Sequence, residues 1–215
     1  MPFPSPPDHA RAALDALVRL DSGLAGIEHR AGPLPWRTRP PGFAGLLQAM
    51  VNQQISNQAA AAIWRRLASL PAATTPTGFL TLSDDELRAV GFSRPKVMHA
   101  RALADAFLSG ALDAEQLAAM TDEDAIATIA GIRGLGRWTA EVYLVFALGR
   151  LDVFPAADIA LANSIAHLRG MPTRPNPVVL RKIAEDWQPA RALAARLLWH
   201  HWRHATGRPA MDDMI

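Results

Sequence analysis

"IAGIRGLGRWTAEVYLVFALGR" (129–150) places three glycines in six residues between two stretches of helical character. The pattern predicts a helix ending near Ala130, a tight turn holding Gly131, Gly134 and Gly136, and a second helix from about Arg137 to Leu148. Glycine admits positive φ and has no Cβ to keep another backbone at a distance. The first amides of the second helix have no acceptor within it, and the helix dipole stands behind them. Such a turn suits an anion, and a nucleic-acid phosphate fits it. A glycine-rich helical hairpin with no ligand has the same pattern, so the turn alone leaves both readings open.

The flanking sequence is helical as well. In "GFAGLLQAMVNQQ" (42–54) the apolar positions Phe43, Leu46, Leu47, Met50 and Val51 form one stripe. Ser56 is placed to cap the next helix, whose buried face carries Ala60, Ile63, Trp64 and Leu67. "SDDE" (83–86) reads as a capping box, and Pro95 suits a first helical turn. Thr121 with Asp124 is a second box-like start in which the shorter Asp reaches back less well than Glu. Asn176-Pro177 and Pro189 open the last two helices. No strand-like alternation, tandem repeat or long linker interrupts the series. The expected fold class is all-α, with about ten helices.

Composition narrows the function classes. With no cysteine, the chain has no disulfide framework, thiolate zinc site or iron–sulfur cluster. No apolar run approaches the roughly 20 residues that span a bilayer. The opening "MPFPSPP" lacks the basic-then-apolar order of a signal peptide, and a cytoplasmic location is expected. The net charge of +2 is unevenly spread. Residues 133–208 hold eleven Arg or Lys against five acids, whereas residues 1–132 hold eleven against thirteen. A basic stretch of this kind suits a surface that meets phosphate. Arginine outnumbers lysine twenty to two, so a general arginine bias accounts for part of it.

"VFPAADIAL" (153–161) sets one carboxylate, Asp158, among apolar and small side chains. An isolated anion is costly to bury, so Asp158 either caps a helix or reacts with something. Pro155 upstream and the helical spacing afterwards put it near a helix start, where the dipole favours an anion.

Taken with "DVFPAADIAL" (152–161), the stretch "GLGRWTAEVYLVFALGR" (134–150) resembles the helix-hairpin-helix DNA glycosylases, in particular the DNA-3-methyladenine glycosylase II branch in a compact form without an N-terminal sheet domain. Three further stretches match in order: "LLQAMVNQQISNQAAAAIWRRL" (46–67), "LRAVGFSRPKVMHARALADAFLSGALD" (87–113) and "DWQPARALAARLLW" (186–199). The resemblance implies two helical lobes with a cleft between them. One lobe is discontinuous, residues 1–40 plus 151–215, and carries the catalytic Asp; the other, 41–150, ends in the hairpin at about 121–149.

It also implies roles. Asp158 is the expected catalytic carboxylate, stabilising an oxocarbenium-like sugar and orienting water. Relatives that also cut the strand carry a Schiff-base lysine just before the hairpin's Thr-Ala; here that residue is Trp138, so a monofunctional glycosylase is expected. Trp138 and Tyr143 are expected pocket walls, with Trp36 closing the pocket, because an electron-rich ring attracts a cationic alkylated purine. Both Trp138 and Tyr143 can equally be core residues. Ala190 stands where relatives often have an aromatic, which opens the pocket on that side.

A base in duplex DNA must be extruded. The "NQQIS" turn (52–56) is the expected wedge, with Gln54 at its tip and Gln53 and Ser56 in support, although a plain polar helix–helix turn reads alike. Phosphate contacts are expected from Lys96, Gly131, Gly134, Gly136, Arg137 and Thr139. No cofactor is expected beyond a monovalent cation that related hairpins hold on backbone carbonyls. His200 and His204 lie one turn apart but lack an evident third ligand, so no metal is expected. The expected partner is double-stranded DNA containing damaged bases, met by a monomer with no membrane contact. Two alternatives share these motifs: a non-catalytic DNA-binding hairpin protein, and a same-fold glycosylase for deaminated or oxidised bases.

Overall fold

The computed structural model describes residues 3–215, and no strand occurs among them. In chain order the helices are α1 (Asp8–Leu20), α2 (Ser22–Ala25), α3 (Ile27–Ala31), α4 (Phe43–Val51), α5 (Asn57–Ala68), α6 (Pro76–Thr81) and α7 (Asp84–Ala89). There follow α8 (Arg94–Leu108), α9 (Ala114–Ala119), α10 (Asp122–Ala130), α11 (Arg137–Phe146), α12 (Ile159–Leu168), α13 (Pro177–Glu185) and α14 (Arg191–Thr206). A 3-10 turn, Met211–Asp213, follows the last helix. The expected ten helices become fourteen among the described residues because α2, α3, α6, α7 and α9 are only four to six residues long. Segments under two turns carry no readable period.

Capping residues set most of the boundaries. Ser56, Thr75, Ser83, Ser93, Asp113, Thr121 and Asn176 each accept a backbone N–H of the helix they precede. Ser83 and Glu86 form the full reciprocal box. At Thr121 the shorter Asp124 accepts from the threonine hydroxyl at 2.7 Å. α14 begins two residues after Pro189, with Ala190 at its cap position.

The described chain divides into two compact units. The first comprises the segment up to Thr38 together with Gly149–Arg208. Its core is the inner face of α1 (Ala10, Leu14, Leu17) with Ile165, Leu180, Leu193 and Leu197 around the fully buried Trp187. The Trp187 indole N–H donates to Asp21 at 2.8 Å, so the burial leaves no polar debt at that nitrogen.

The second unit comprises Arg39–Leu148 with Pro209–Ile215. Its central helix is α4, buried along almost its whole length, with Phe43 packed edge-on against Phe79 and Phe107. The division departs from the expected one at the C-terminus: 209–215 pack with the second unit, not the first. Asp212 accepts from Arg39 (3.2 Å) and Gln48 (3.2 Å), and Asn57 donates to the Pro209 carbonyl (3.1 Å). No helix of the described residues is long and apolar enough to cross a membrane.

Candidate functional site

Within the first unit, the segment Val153–Ala156 is buried and leads to Asp158, which is half-buried at the N-cap of α12. Its Oδ1 accepts from the N–H groups of Ala160 (2.8 Å) and Leu161 (3.0 Å). One carboxylate oxygen therefore makes the cap, and the side-chain torsions are fixed by it. Ile159 beside it is exposed. Of the two sequence readings of Asp158, the structure contains the cap, and the capping carboxylate is half-buried.

Trp36, expected to close a pocket, lies in the core of the same unit, with the Arg196 guanidinium 4.0 Å over its ring. Arg196 in turn donates to the Arg37 carbonyl at 2.9 Å. That ring face already serves a cation of the chain itself, so Trp36 is a packing residue rather than an open wall. Ala190 is buried in the same core.

Histidines of α14 have internal partners. His200 Nε2 donates to the Gly32 carbonyl at 2.9 Å, and His201 pairs with His167 at 2.9 Å. Among the described residues no group of three or more His, Cys, Asp or Glu is arranged to hold a metal.

Within the second unit, the hairpin forms from α10, the turn 131–136 and α11. Only Gly134 needs a glycine's backbone: its φ is +88°, and a Cβ there would run into the His99 ring. Gly131 closes α10 at φ −68°, with nothing nearer to a Cβ than 3.4 Å, so its expected special role is not required by geometry. Gly136 is the exposed N-cap of α11, with nothing within 4 Å of a Cβ. Its carbonyl takes the N–H of Thr139 (3.0 Å) and of Ala140 (3.2 Å). These bonds close the first turn of α11, whose N-terminal end is the positive end of the helix dipole. Gly136 and Arg137 are exposed at this end of the hairpin.

Several side chains expected to contact phosphate are engaged by partners within the protein. Arg137 forms a bidentate pair with Glu123 (2.9 and 2.6 Å) and a further bond to the buried Glu141 (2.9 Å). The Glu123 hydrogen bonds raise its pKa, and the exposed guanidinium ties α10 to α11. Thr139 is buried, and its hydroxyl accepts from Gln53 Nε2 at 2.7 Å. Gln53 also donates to the Gly134 carbonyl at 3.2 Å, so it braces the hairpin. Lys96 donates to the carbonyls of Val51 (2.5 Å) and Gln53 (3.2 Å) and is half-buried, burial pushing its pKa down. Tyr143 is 1% exposed, its hydroxyl accepting the Gly42 N–H at 2.8 Å; it is core, not a pocket wall.

The turn 52–56 keeps its exposed tip. Gln54 is exposed at φ +58°, and Ser56 is exposed with its hydroxyl engaged as the α5 cap. Beside Gln54 stands Ile55, an exposed large apolar side chain that sequence reasoning passed over. Its signal was available: it is the one apolar residue between Val51 and Ala59. Trp138 is half-buried on the first turn of α11.

Residues 47–190 match the family described as HhH-GPD superfamily base excision DNA repair protein. DNA-3-methyladenine glycosylase 1 of Schizosaccharomyces pombe is 34% identical to the chain over 161 residues, 73% of this chain and 71% of that protein. A solved S. pombe 3-methyladenine DNA glycosylase in complex with abasic DNA matches with a TM-score of 0.81 and 29% identity, covering 89% of this chain and 95% of that one. A DNA-3-methyladenine glycosidase from Bacillus halodurans matches with a TM-score of 0.75 and 29% identity over 94% of each chain.

Proposed function

This chain belongs to the HhH-GPD superfamily of base excision DNA repair proteins, and we propose that it hydrolyses the N-glycosidic bond joining alkylated purines of the 3-methyladenine class to deoxyribose in double-stranded DNA, leaving an abasic site. The observation that carries this reading is the Asp158 carboxylate, held in one orientation by the Ala160 and Leu161 amides.

As the purine departs, positive charge builds on the sugar, and a fixed carboxylate stabilises it without reorganising. The same group orients water for attack at the anomeric carbon and accepts its proton. Position 138 offers an indole and no amine, which supports water as nucleophile and a monofunctional reaction. An alkylated ring nitrogen makes the purine cationic and already a good leaving group, so no separate acid is needed. The Trp138 ring is the aromatic face that would favour such a base, an attraction of about 0.5–2 kcal/mol.

Gln54 with Ile55 forms the wedge that replaces the extruded base, and the exposed N-terminal end of α11 receives phosphate. A monovalent cation would sit on hairpin carbonyls, among which Gly134 O already accepts from Gln53. The protein acts as a monomer.

The test is Asp158→Asn. Purified variant and wild type are incubated with methylated duplex DNA and the freed bases separated by chromatography. The variant is expected to release none while its affinity for abasic DNA persists. Equal release by both proteins removes Asp158 from the reaction; DNA binding with no release by either protein favours the non-catalytic alternative.

A further inference from the structure

Three groups that the sequence assigns to DNA contact turn out to contact one another. α8 presents Lys96 and His99 one helical turn apart. The Lys96 ammonium reaches the carbonyls of Val51 and Gln53, and Val51 is the last residue of α4, so the cation meets the negative end of that helix. The His99 ring fills the place where Gly134 would carry a Cβ. Between the two loops, Gln53 Nε2 spans from the 52–56 turn to Thr139 and Gly134.

A half-buried ammonium is costly unless its donors are met. Here the carbonyl that ends α4 and one of the turn accept from it, and burial has already shifted its pKa downward. Gln54 at φ +58° is therefore flanked on one side by the Lys96 and Gln53 contacts and on the other by the Ser56 cap.

We propose that Lys96 and Gln53 are positioning residues that lock the exposed tip Gln54–Ile55 to the hairpin, so that tip and hairpin meet the duplex as one rigid body. The inference rests on the glycosylase reading for its substrate, not for its geometry. Neither side chain touches the reacting atoms. Their loss should slow insertion while leaving phosphate affinity in place.

The experiment uses the full chain with Lys96→Met, Gln53→Leu and Lys96→Arg. The probe is a duplex holding a tetrahydrofuran abasic analogue beside 2-aminopurine, whose fluorescence rises when the tip unstacks it. In stopped flow, Lys96→Met and Gln53→Leu are expected to slow the signal about tenfold with affinity within about twofold of wild type. Lys96→Arg keeps donors for both carbonyls and should restore most of the rate, a rescue that general destabilisation would not give. An unchanged rate in both variants overturns the coupling. So does a drop in the salt slope of binding by about one for Lys96→Met, which marks a direct phosphate contact. Base release from methylated DNA is measured alongside: a wild-type chain that inserts its tip but frees no base sinks the glycosylase reading and leaves the coupling standing.

Discussion

In the proposed reaction the Asp158 side chain meets two demands, and substitution separates them. The cap needs an oxygen that accepts two N–H bonds; the reaction needs negative charge. Asparagine caps about as well as aspartate, whereas alanine accepts nothing. Asp158→Ala should therefore lower stability by about 1 kcal/mol, and Asp158→Asn by far less, while both abolish base release. Urea unfolding of the two variants measures the first difference. If alanine and asparagine unfold at the same midpoint as wild type, the cap contributes nothing and the carboxylate is held by other contacts. Tyr143 shows the reverse case, a residue whose chemistry suits a pocket but whose hydroxyl is spent on the Gly42 amide inside the core.

Among the elements, the hairpin separates glycines that look alike in sequence. Gly134 is held at φ +88° against His99, while Gly131 closes α10 in ordinary helical geometry. Gly134→Ala should cost about 1–2 kcal/mol from the left-handed backbone alone, more once the imidazole is displaced. Gly131→Ala should change stability by no more than about 0.5 kcal/mol. Thermal unfolding of both variants decides it; equal losses would mean that the turn, not the single φ, demands glycine. Helix starts were legible because capping is local: Ser56, Ser83 and Thr121 bond to amides three residues on. The direction of Gln53 was not, because its acceptors lie 81 and 86 residues away. Lys96 reaches back 45 residues to Val51 for the same reason. A polar residue in a turn reads as solvent-facing until the partner that claims it is known. The cap at Asp158, by contrast, was legible, since an acid before an apolar helical run has few places to go.

For the molecule as a whole, the response of stability to pH depends on which of its seven histidines are buried. His201 is 4% exposed and faces His167, with Arg30, His204 and His200 also acting on it. Burial first, and these neighbouring basic groups second, push its pKa down to about 4 from 6.5. His201 Nδ1 has no hydrogen-bond partner, so a proton added there would be a buried donor without an acceptor. The sign follows: the unfolded chain takes up this proton more readily, so the contribution is complete above pH 6.5 and is lost as pH falls towards 4. Its size is at most about 3 kcal/mol. Glu28 acts lower on the scale. Burial alone would raise it, yet the hydrogen bonds from Arg11 and the Leu34 amide hold it below 4.5, so its contribution fades only beneath that value. Melting temperature should hence be flat from pH 8 to 6.5 and fall between 6.5 and 4.5, and His201→Leu should flatten that fall because an apolar side chain has no proton to take up. An unaltered acid limb in the variant would assign the loss to other groups.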